Sequence, residues 1–149
     1  MSTARNFFTE QEKQRLKSAI KEAENNTSGE IRVHIEQKCG EDVLDRAAFL
    51  FGQLKMHETK LRNGVLFYLA ISDHKFAILG DLGINNKVPE GFWDEIKDDL
   101  LENFKAGAFT EGLEKGIIKA GNQLKSHFPL ADDDENELDD DITFDDEKA

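Results

Sequence analysis

Oxygen-bearing side chains are concentrated in two short segments of the sequence, "HETKLRN" at 57–63 and "GDLGINN" at 80–86. Their members are Glu58, Thr59, Asn63, Asp81, Asn85 and Asn86. Hard oxygen ligands from two converging loops are what calcium and magnesium prefer. The residue types alone, however, favour Asp81 as a structural cap that accepts hydrogen bonds from loop amides. The two interpretations differ in whether the loops meet.

A rival set of polar residues is predicted at the other end of the chain's strands. It comprises Glu36, Glu41, Asp42, Asp73 and His74. The carboxyl ends of parallel strands are the usual ligand crevice in α/β sheets, so this edge competes for the site. Asp73 lies in a hairpin turn, where aspartate is usually a turn former.

Motifs for other chemistries are missing. "GDLG" is neither a dinucleotide fingerprint nor a Walker A loop, and no serine lies in a G-x-S-x-G elbow. The single cysteine, Cys39, excludes an internal disulfide framework and argues against a cysteine-rich zinc site. Its surroundings, "QKCGED", offer no adjacent histidine, which disfavours a cysteine nucleophile.

The elements that position these residues follow the order α-β-α-β-β-α-α. "GEIRVHIEQ" alternates like a strand with one face in the core, and "GVLFYLAI" is apolar on both faces, as a central strand is. A helical crossover between these two strands predicts parallel pairing, whereas the short "SDHK" turn permits only an antiparallel hairpin. We therefore predict a three-layer α/β/α sandwich with a small mixed sheet and helices on both faces.

This topology places the two loops beside each other. The central strand starts at Gly64 and its antiparallel partner ends at Gly80, so both points lie at one sheet edge. Glu30, at the start of the parallel first strand, belongs to the same edge. Because the two loops and Glu30 converge at this edge, their oxygen-bearing side chains are candidate ligands of one metal site.

The net charge of −12 is distributed unevenly along the 149 residues. Residues 130–149 carry eleven acidic side chains and one lysine, so the remainder has a net charge of only −2. We predict a domain at 1–129 and an acidic, disordered tail at 130–149, with a short linear motif around Leu138, Ile142 and Phe144 as the alternative. The acidity disfavours nucleic acid or an anionic membrane as a partner.

The chain shows no signal-peptide region and no apolar run long enough to span a bilayer. We therefore expect a cytoplasmic protein without direct membrane insertion. We also expect a monomer, with divalent metal ions and an unidentified protein as its partners.

Several segments, in order, resemble the TPM domain family. They are "TSGEIRVHIE", "LKMHETKLRNGVLFYLAISDHKFAILGDLGI", "FW" and "FKAGAFTEGLEKGI" followed by "LKSHFP". The resemblance covers about residues 5–129 and implies an α/β/α sandwich. It also implies divided biochemistry: acid phosphatase activity and calcium binding in plant members, and accessory or regulatory modules elsewhere. Resemblance to the stand-alone bacterial members implies a paired divalent-metal site that joins two crossing loops.

The resemblance favours metal ligands over a turn cap, at Thr59 and Asn63 of "T..RNGVL", Asp81 of "GD.GI" and Glu30 of "SGEIR". The full set of predicted ligands is Glu30, His57, Glu58, Thr59, Asn63, Asp81 and Asp94. The predicted function is a non-catalytic regulatory or accessory module that binds one or two Ca²⁺ or Mg²⁺ ions. The alternatives are a metal-dependent acid phosphatase and an interaction domain without metal.

Overall fold

The computed structural model describes residues 7–129 and 142–144, and the structural statements below concern these residues. The helices are α1 (Glu10–Glu24), α2 (Val43–Gln53), α3 (Leu82–Asn85), α4 (Phe92–Lys105) and α5 (Phe109–His127). The strands are β1 (Glu30–Glu36), β2 (Gly64–Ala70), β3 (Lys75–Gly80) and β4 (Ile142–Phe144), and a 3₁₀ helix spans Met56–Glu58.

The four strands form one mixed sheet in the order β3-β2-β1-β4. β1 and β2 are parallel, in a register that places Glu30 opposite Gly64, and β2 and β3 form an antiparallel hairpin. The predicted mixed sheet is confirmed. Its pairing follows from the connections, because α2 crosses over between β1 and β2 whereas a tight turn joins β2 to β3.

Helices cover both faces of this sheet, which confirms the three-layer sandwich. On one face, Val33 and Phe67 pack with Leu16 of α1 and Ile117 of α5 in the larger hydrophobic core. On the other face, side chains of α2 and the 3₁₀ helix pack against alternate residues of β2 in a smaller core. β2 is buried along its whole length because both of its faces are covered.

Helix starts follow the capping signals of the sequence. Thr9 and Glu12 form a reciprocal capping box at α1, with backbone-to-side-chain distances of 2.9 and 3.1 Å. Asp42 caps α2 by accepting hydrogen bonds from the amides of Leu44 and Asp45. Each cap satisfies amide groups that lack a partner within the helix.

The acidic segment differs from its prediction at three residues. Ile142–Phe144 forms β4, which pairs in parallel with β1 and so covers part of its edge. Ile142 and Phe144 are buried in the larger core, while Thr143 lies next to His34 on the other face. Apolar burial and edge pairing thus stabilise a strand where average charge predicts disorder. Residues 130–141 and 145–149 of the predicted tail lie outside the described residues.

β1 also differs from its sequence pattern. Alternation predicts a strand with one face in the core, yet all seven residues of β1 are buried. The polar face is covered because two other elements supply hydrogen-bonding partners for it: α2, whose Arg46 is 10 positions from Glu36, and β4, whose Thr143 is 109 positions from His34. Such partners cannot be read from a local repeat.

Candidate functional site

The segment 57–63 and the segment 80–86 contact each other directly, and we call them together the loop junction. The Arg62 carbonyl accepts hydrogen bonds from the amides of Gly83, at 2.7 Å, and Ile84, at 3.3 Å. A Cβ atom at position 83 would lie 1.9 Å from the carbonyl oxygen of Leu61. The loops therefore meet as the topology predicted, and only glycine fits at their closest point.

Asp81 is the most heavily bonded side chain of the loop junction. Its carboxylate accepts two hydrogen bonds from the Arg62 guanidinium, at 2.6 Å from Nε and 2.8 Å from Nη2. It also caps α3 by accepting a hydrogen bond from the amide of Leu82. The hydrogen bond and the charge of Asp81 raise the pKa of Arg62. Asp81 thus performs the capping role that its residue type favours, and it also forms an ion pair with Arg62 that the sequence patterns do not predict.

Asn63 is buried and only partly satisfied. Its backbone N–H donates to the Thr59 hydroxyl at 3.2 Å, and its side-chain Nδ2 donates to the Ser28 hydroxyl at 3.1 Å. Its Oδ1 atom has no hydrogen-bond donor among the described residues. A buried acceptor without a donor costs about 1–3 kcal/mol, so this atom calls for a partner such as a cation or water.

Glu30 lies at the same edge as these residues. It is buried at the start of β1, and its amide donates to the Asn63 carbonyl at 3.4 Å. The Asp81 amide donates to the Gly64 carbonyl at 2.9 Å. Glu30, Asn63 and Asp81 therefore occupy the ends of three adjacent strands.

The other predicted ligands lie on the surface. His57 and Glu58 are exposed in the 3₁₀ helix, and Asp94 is exposed in the first turn of α4. Within 7–129 and 142–144, no three histidine, cysteine or acidic side chains are arranged to hold a metal ion. The structure thus brings Glu30, Thr59, Asn63 and Asp81 to one buried edge and leaves the remaining three outside it.

The rival set of polar residues, at the opposite edge of the sheet, includes a carboxylate that is fully engaged in hydrogen bonds. Glu36 is buried and accepts hydrogen bonds from Arg46, at 2.9 and 2.6 Å, and from the Tyr68 hydroxyl at 2.6 Å. His34 Nε2 lies 3.4 Å from the same carboxylate without hydrogen-bonding geometry, while its Nδ1 lies 2.6 Å from the Thr143 hydroxyl. We call this group the Glu36 cluster; its members are His34, Glu36, Arg46, Tyr68 and Thr143.

Electrostatics in the Glu36 cluster favour a fixed negative charge. Burial raises the pKa of Glu36, but the contacts from His34, Arg46 and Tyr68 together outweigh burial and hold that pKa well below its usual range. Burial and the bond to Glu36 raise the pKa of the Tyr68 phenol. A carboxylate held in this way is suited to structure and not to proton transfer near neutral pH.

The remaining residues of the rival set also have structural partners or are exposed. Asp73 accepts a hydrogen bond from the Cys39 amide at 2.7 Å, and Asp42 caps α2. Glu41 is half-exposed, whereas His74 lines a cavity at the end of the hairpin. Arg46 and Tyr68 are not among the residues that the sequence patterns predict for this edge. Strand register could have identified Tyr68, because it lies opposite His34 on the polar face.

None of the helices in the described part of the chain is long and apolar enough to cross a membrane. The cytoplasmic location and the monomeric state remain predictions.

Comparisons with known proteins identify related sequences and folds. A family model described as the TPM domain matches residues 1–123. The NMR structure of the BA42 protein from the psychrophilic bacterium Bizionia argentinensis is 47% identical, with a TM-score of 0.86, covering 97% of this chain and 99% of that one. A search of the curated proteins gives no match.

Two more distant structures share the fold alone. The N-terminal domain of a P. gingivalis protein is 18% identical, with a TM-score of 0.70 over 85% of this chain and 83% of that one. The N-terminal domain of a Corynebacterium glutamicum protein is 11% identical, with a TM-score of 0.58 over 84% of this chain and 79% of that one.

Proposed function

This chain belongs to the TPM domain family, and we propose that it is a non-catalytic module whose loop junction binds Ca²⁺ or Mg²⁺. One observation carries the proposal: the Asn63 Oδ1 atom is buried at the loop junction without a donor among the described residues. An oxygen atom in that position is stabilised by a cation as well as by a hydrogen bond.

The surrounding residues suit a hard cation. Glu30, Thr59 and Asp81 are buried at the same edge as Asn63 and provide carboxylate and hydroxyl oxygens. Calcium in proteins combines such side chains with backbone carbonyls and water, so a cluster of three carboxylates is not required. When bound, the ion would supply positive charge that joins the two loops.

Arg62 has a defined place in this proposal. Its guanidinium, 45% exposed, already supplies positive charge to the buried Asp81 carboxylate. Since an ionised carboxylate has about four lone-pair sites, Asp81 can accept further interactions or exchange one partner for another. We therefore expect Arg62 to compete with a divalent cation for Asp81.

The test is a titration of the full-length, ¹⁵N-labelled chain with Ca²⁺ and Mg²⁺ against a chelator, followed by amide NMR. We expect saturable shifts within 57–64 and 80–86. Asn63→Ala should weaken binding about tenfold, equal to 1.4 kcal/mol, because the uncommitted oxygen is removed. Asp94→Asn is the matched control, since Asp94 is exposed on α4.

Three outcomes would overturn the proposal. Shifts restricted to 130–149 would mean weak, unspecific binding by acidic side chains. Equal affinity in the wild type and Asn63→Ala would remove the atom on which the proposal rests. An absence of shifts at millimolar metal would exclude a physiological site of this kind.

A metal-dependent phosphatase remains the alternative prediction. It would use Asp73, Glu36 or Asp81, but Glu36 and Asp81 each form an ion pair with an arginine, and Asp73 accepts a hydrogen bond from the Cys39 amide. Hydrolysis of a chromogenic phosphate ester, with either metal, tests this alternative directly. Turnover that Asp81→Ala abolishes would support it against the non-catalytic proposal.

A further inference from the structure

A cavity of about 240 Å³ opens at the end of the β2–β3 hairpin. Aromatic rings form much of its wall: Phe76 comes from β3, Phe104 from α4, Phe109 from α5, and Phe7 from the segment before α1. Phe104 contacts both Phe76 and Phe109, with ring centroids 5.1 and 4.8 Å apart. The interior of the cavity is therefore apolar and shaped by packed rings.

The cavity lies at the opposite end of the sheet from the loop junction. Leu69, Ala70 and Ile71, at and just beyond the carboxyl end of β2, line it. Ligands in α/β sheets usually bind outside the carboxyl ends of the parallel strands. Position and shape thus both favour a binding site, independently of the metal proposed above.

The mouth of the cavity is cationic. Lys75, Lys105 and His74 line it with exposed side chains, and none of the lining residues is acidic. Neither lysine forms an ion pair within the described ranges 7–129 and 142–144. Residues 1–129 carry a net charge of only −2, so the local charge at the cavity is set by the residues that line it, and these are basic and not acidic.

We propose that this cavity binds a small amphiphile with an anionic carboxylate head and an unbranched alkyl chain. The head would lie between the ammonium groups of Lys75 and Lys105, and the chain would pack against the wall formed by the rings of Phe76, Phe104 and Phe109. At roughly 30 Å³ for each water-sized group, the volume holds about eight such groups. Octanoate, whose carboxylate can remain at the mouth while its alkyl chain enters the interior, therefore suits the cavity in volume and charge.

The experiment is an amide NMR titration of the full-length chain with octanoate, compared with octylamine, which has the same chain and the opposite charge. We expect saturable shifts within 69–76 and 101–109 for octanoate and weaker binding of octylamine. The double variant Lys75→Glu/Lys105→Glu should bind octanoate about tenfold more weakly, equal to 1.4 kcal/mol. It should bind octylamine at least as well as the wild type does.

Lys97→Glu is the matched control, because Lys97 is exposed on α4, the helix that also carries Lys105, but does not line the cavity. It should leave octanoate binding unchanged. Shifts outside the cavity, or no saturation by millimolar octanoate, would overturn the proposal. Equal affinity for the two ligands, or equal losses in the double variant and the control, would overturn the role of the lysines. Spectra of both variants without ligand show whether the fold is intact.

Discussion

The loop junction and the Glu36 cluster are two buried polar regions at opposite ends of β1, and they differ in how fully their acceptors are satisfied. The Glu36 carboxylate accepts hydrogen bonds from two side chains, Arg46 and Tyr68, across the α2 side of the sheet. At the loop junction, Asp81 is equally well held, but Asn63 Oδ1 has no donor among the described residues. The Glu36 carboxylate is satisfied, although the neighbouring His34 Nε2 is, like Asn63 Oδ1, without a hydrogen-bond partner among the described residues. A satisfied carboxylate stabilises a fold, whereas an unsatisfied acceptor oxygen leaves a capacity to bind a cation.

The largest effect expected from this comparison is loss of stability in Glu36→Ala. Removing the carboxylate leaves the Arg46 guanidinium and the Tyr68 hydroxyl without their acceptor, at a cost of about 3–5 kcal/mol. Urea unfolding measures the change. Glu41→Ala is the control, because Glu41 is half-exposed and 4.0 Å from Arg46, which predicts a cost below about 1 kcal/mol. Equal losses in the two variants would contradict a structural role for the cluster.

At the loop junction we expect a smaller loss from Gly83→Ala. The new Cβ would meet the carbonyl oxygens of Leu61 and Arg62 at 1.9 and 2.6 Å, so the loops must separate, at about 1–3 kcal/mol. Amide shifts of 61–64 should change with it. Gly52→Ala, in α2 with open space around it, should instead stabilise the protein by about 0.5–1 kcal/mol. Unchanged 61–64 shifts in Gly83→Ala would refute the close contact.

A third prediction concerns acid. The pKa of Glu36 is lower in the folded state than in the unfolded state, so its contribution is present above the unfolded value, near 4.3, and is lost as pH falls below it. We expect the wild type to lose stability faster than Glu36→Gln, by up to about 1.4 kcal/mol per pH unit below roughly pH 4. Urea unfolding at several pH values between about 3 and 7 measures how the free energy of unfolding of each protein changes with pH. Parallel slopes would contradict the lowered pKa.

The smallest effect is expected at the edge of the Glu36 cluster. Thr143→Val removes the hydroxyl 2.6 Å from His34 Nδ1 and should cost about 1 kcal/mol. Thr143→Ser retains the hydroxyl and should restore most of the loss. The imidazole signals of His34 in NMR provide a second measurement, since they should shift in the valine variant only. A serine variant as unstable as the valine variant would mean that the methyl group, and not the hydrogen bond, matters.

Several features could be predicted from local sequence because their causes are local. The capping box at Thr9, the cap at Asp42 and the strand character of "GVLFYLAI" each depend on residues within one element. The meeting of the two loops was also predictable, since connection length fixes strand direction and strand direction fixes which ends coincide. The family was recognisable from segments such as "TSGEIRVHIE" and "LKMHETKLRNGVLFYLAISDHKFAILGDLGI".

Other features depend on contacts between distant residues. The Arg62–Asp81 pair spans 19 positions, and the His34–Thr143 contact spans 109. β4 lies in a segment whose composition predicts disorder, yet Ile142 and Phe144 add to the larger core. Composition averages over a segment, whereas three residues with a sheet edge to pair with can be ordered individually.

Periodicity, caps and connection lengths are local properties, so they are enough to predict the order of the helices and strands, the mixed sheet, and the edge where oxygen-bearing side chains converge. Which of those oxygen atoms have hydrogen-bond partners depends on the folded chain. In the folded chain, Asp81 accepts hydrogen bonds from Arg62, whereas Asn63 Oδ1 has no donor among the described residues. Hydrogen-bond satisfaction depends on distance and angle between groups far apart in the chain, and packing alone fixes these.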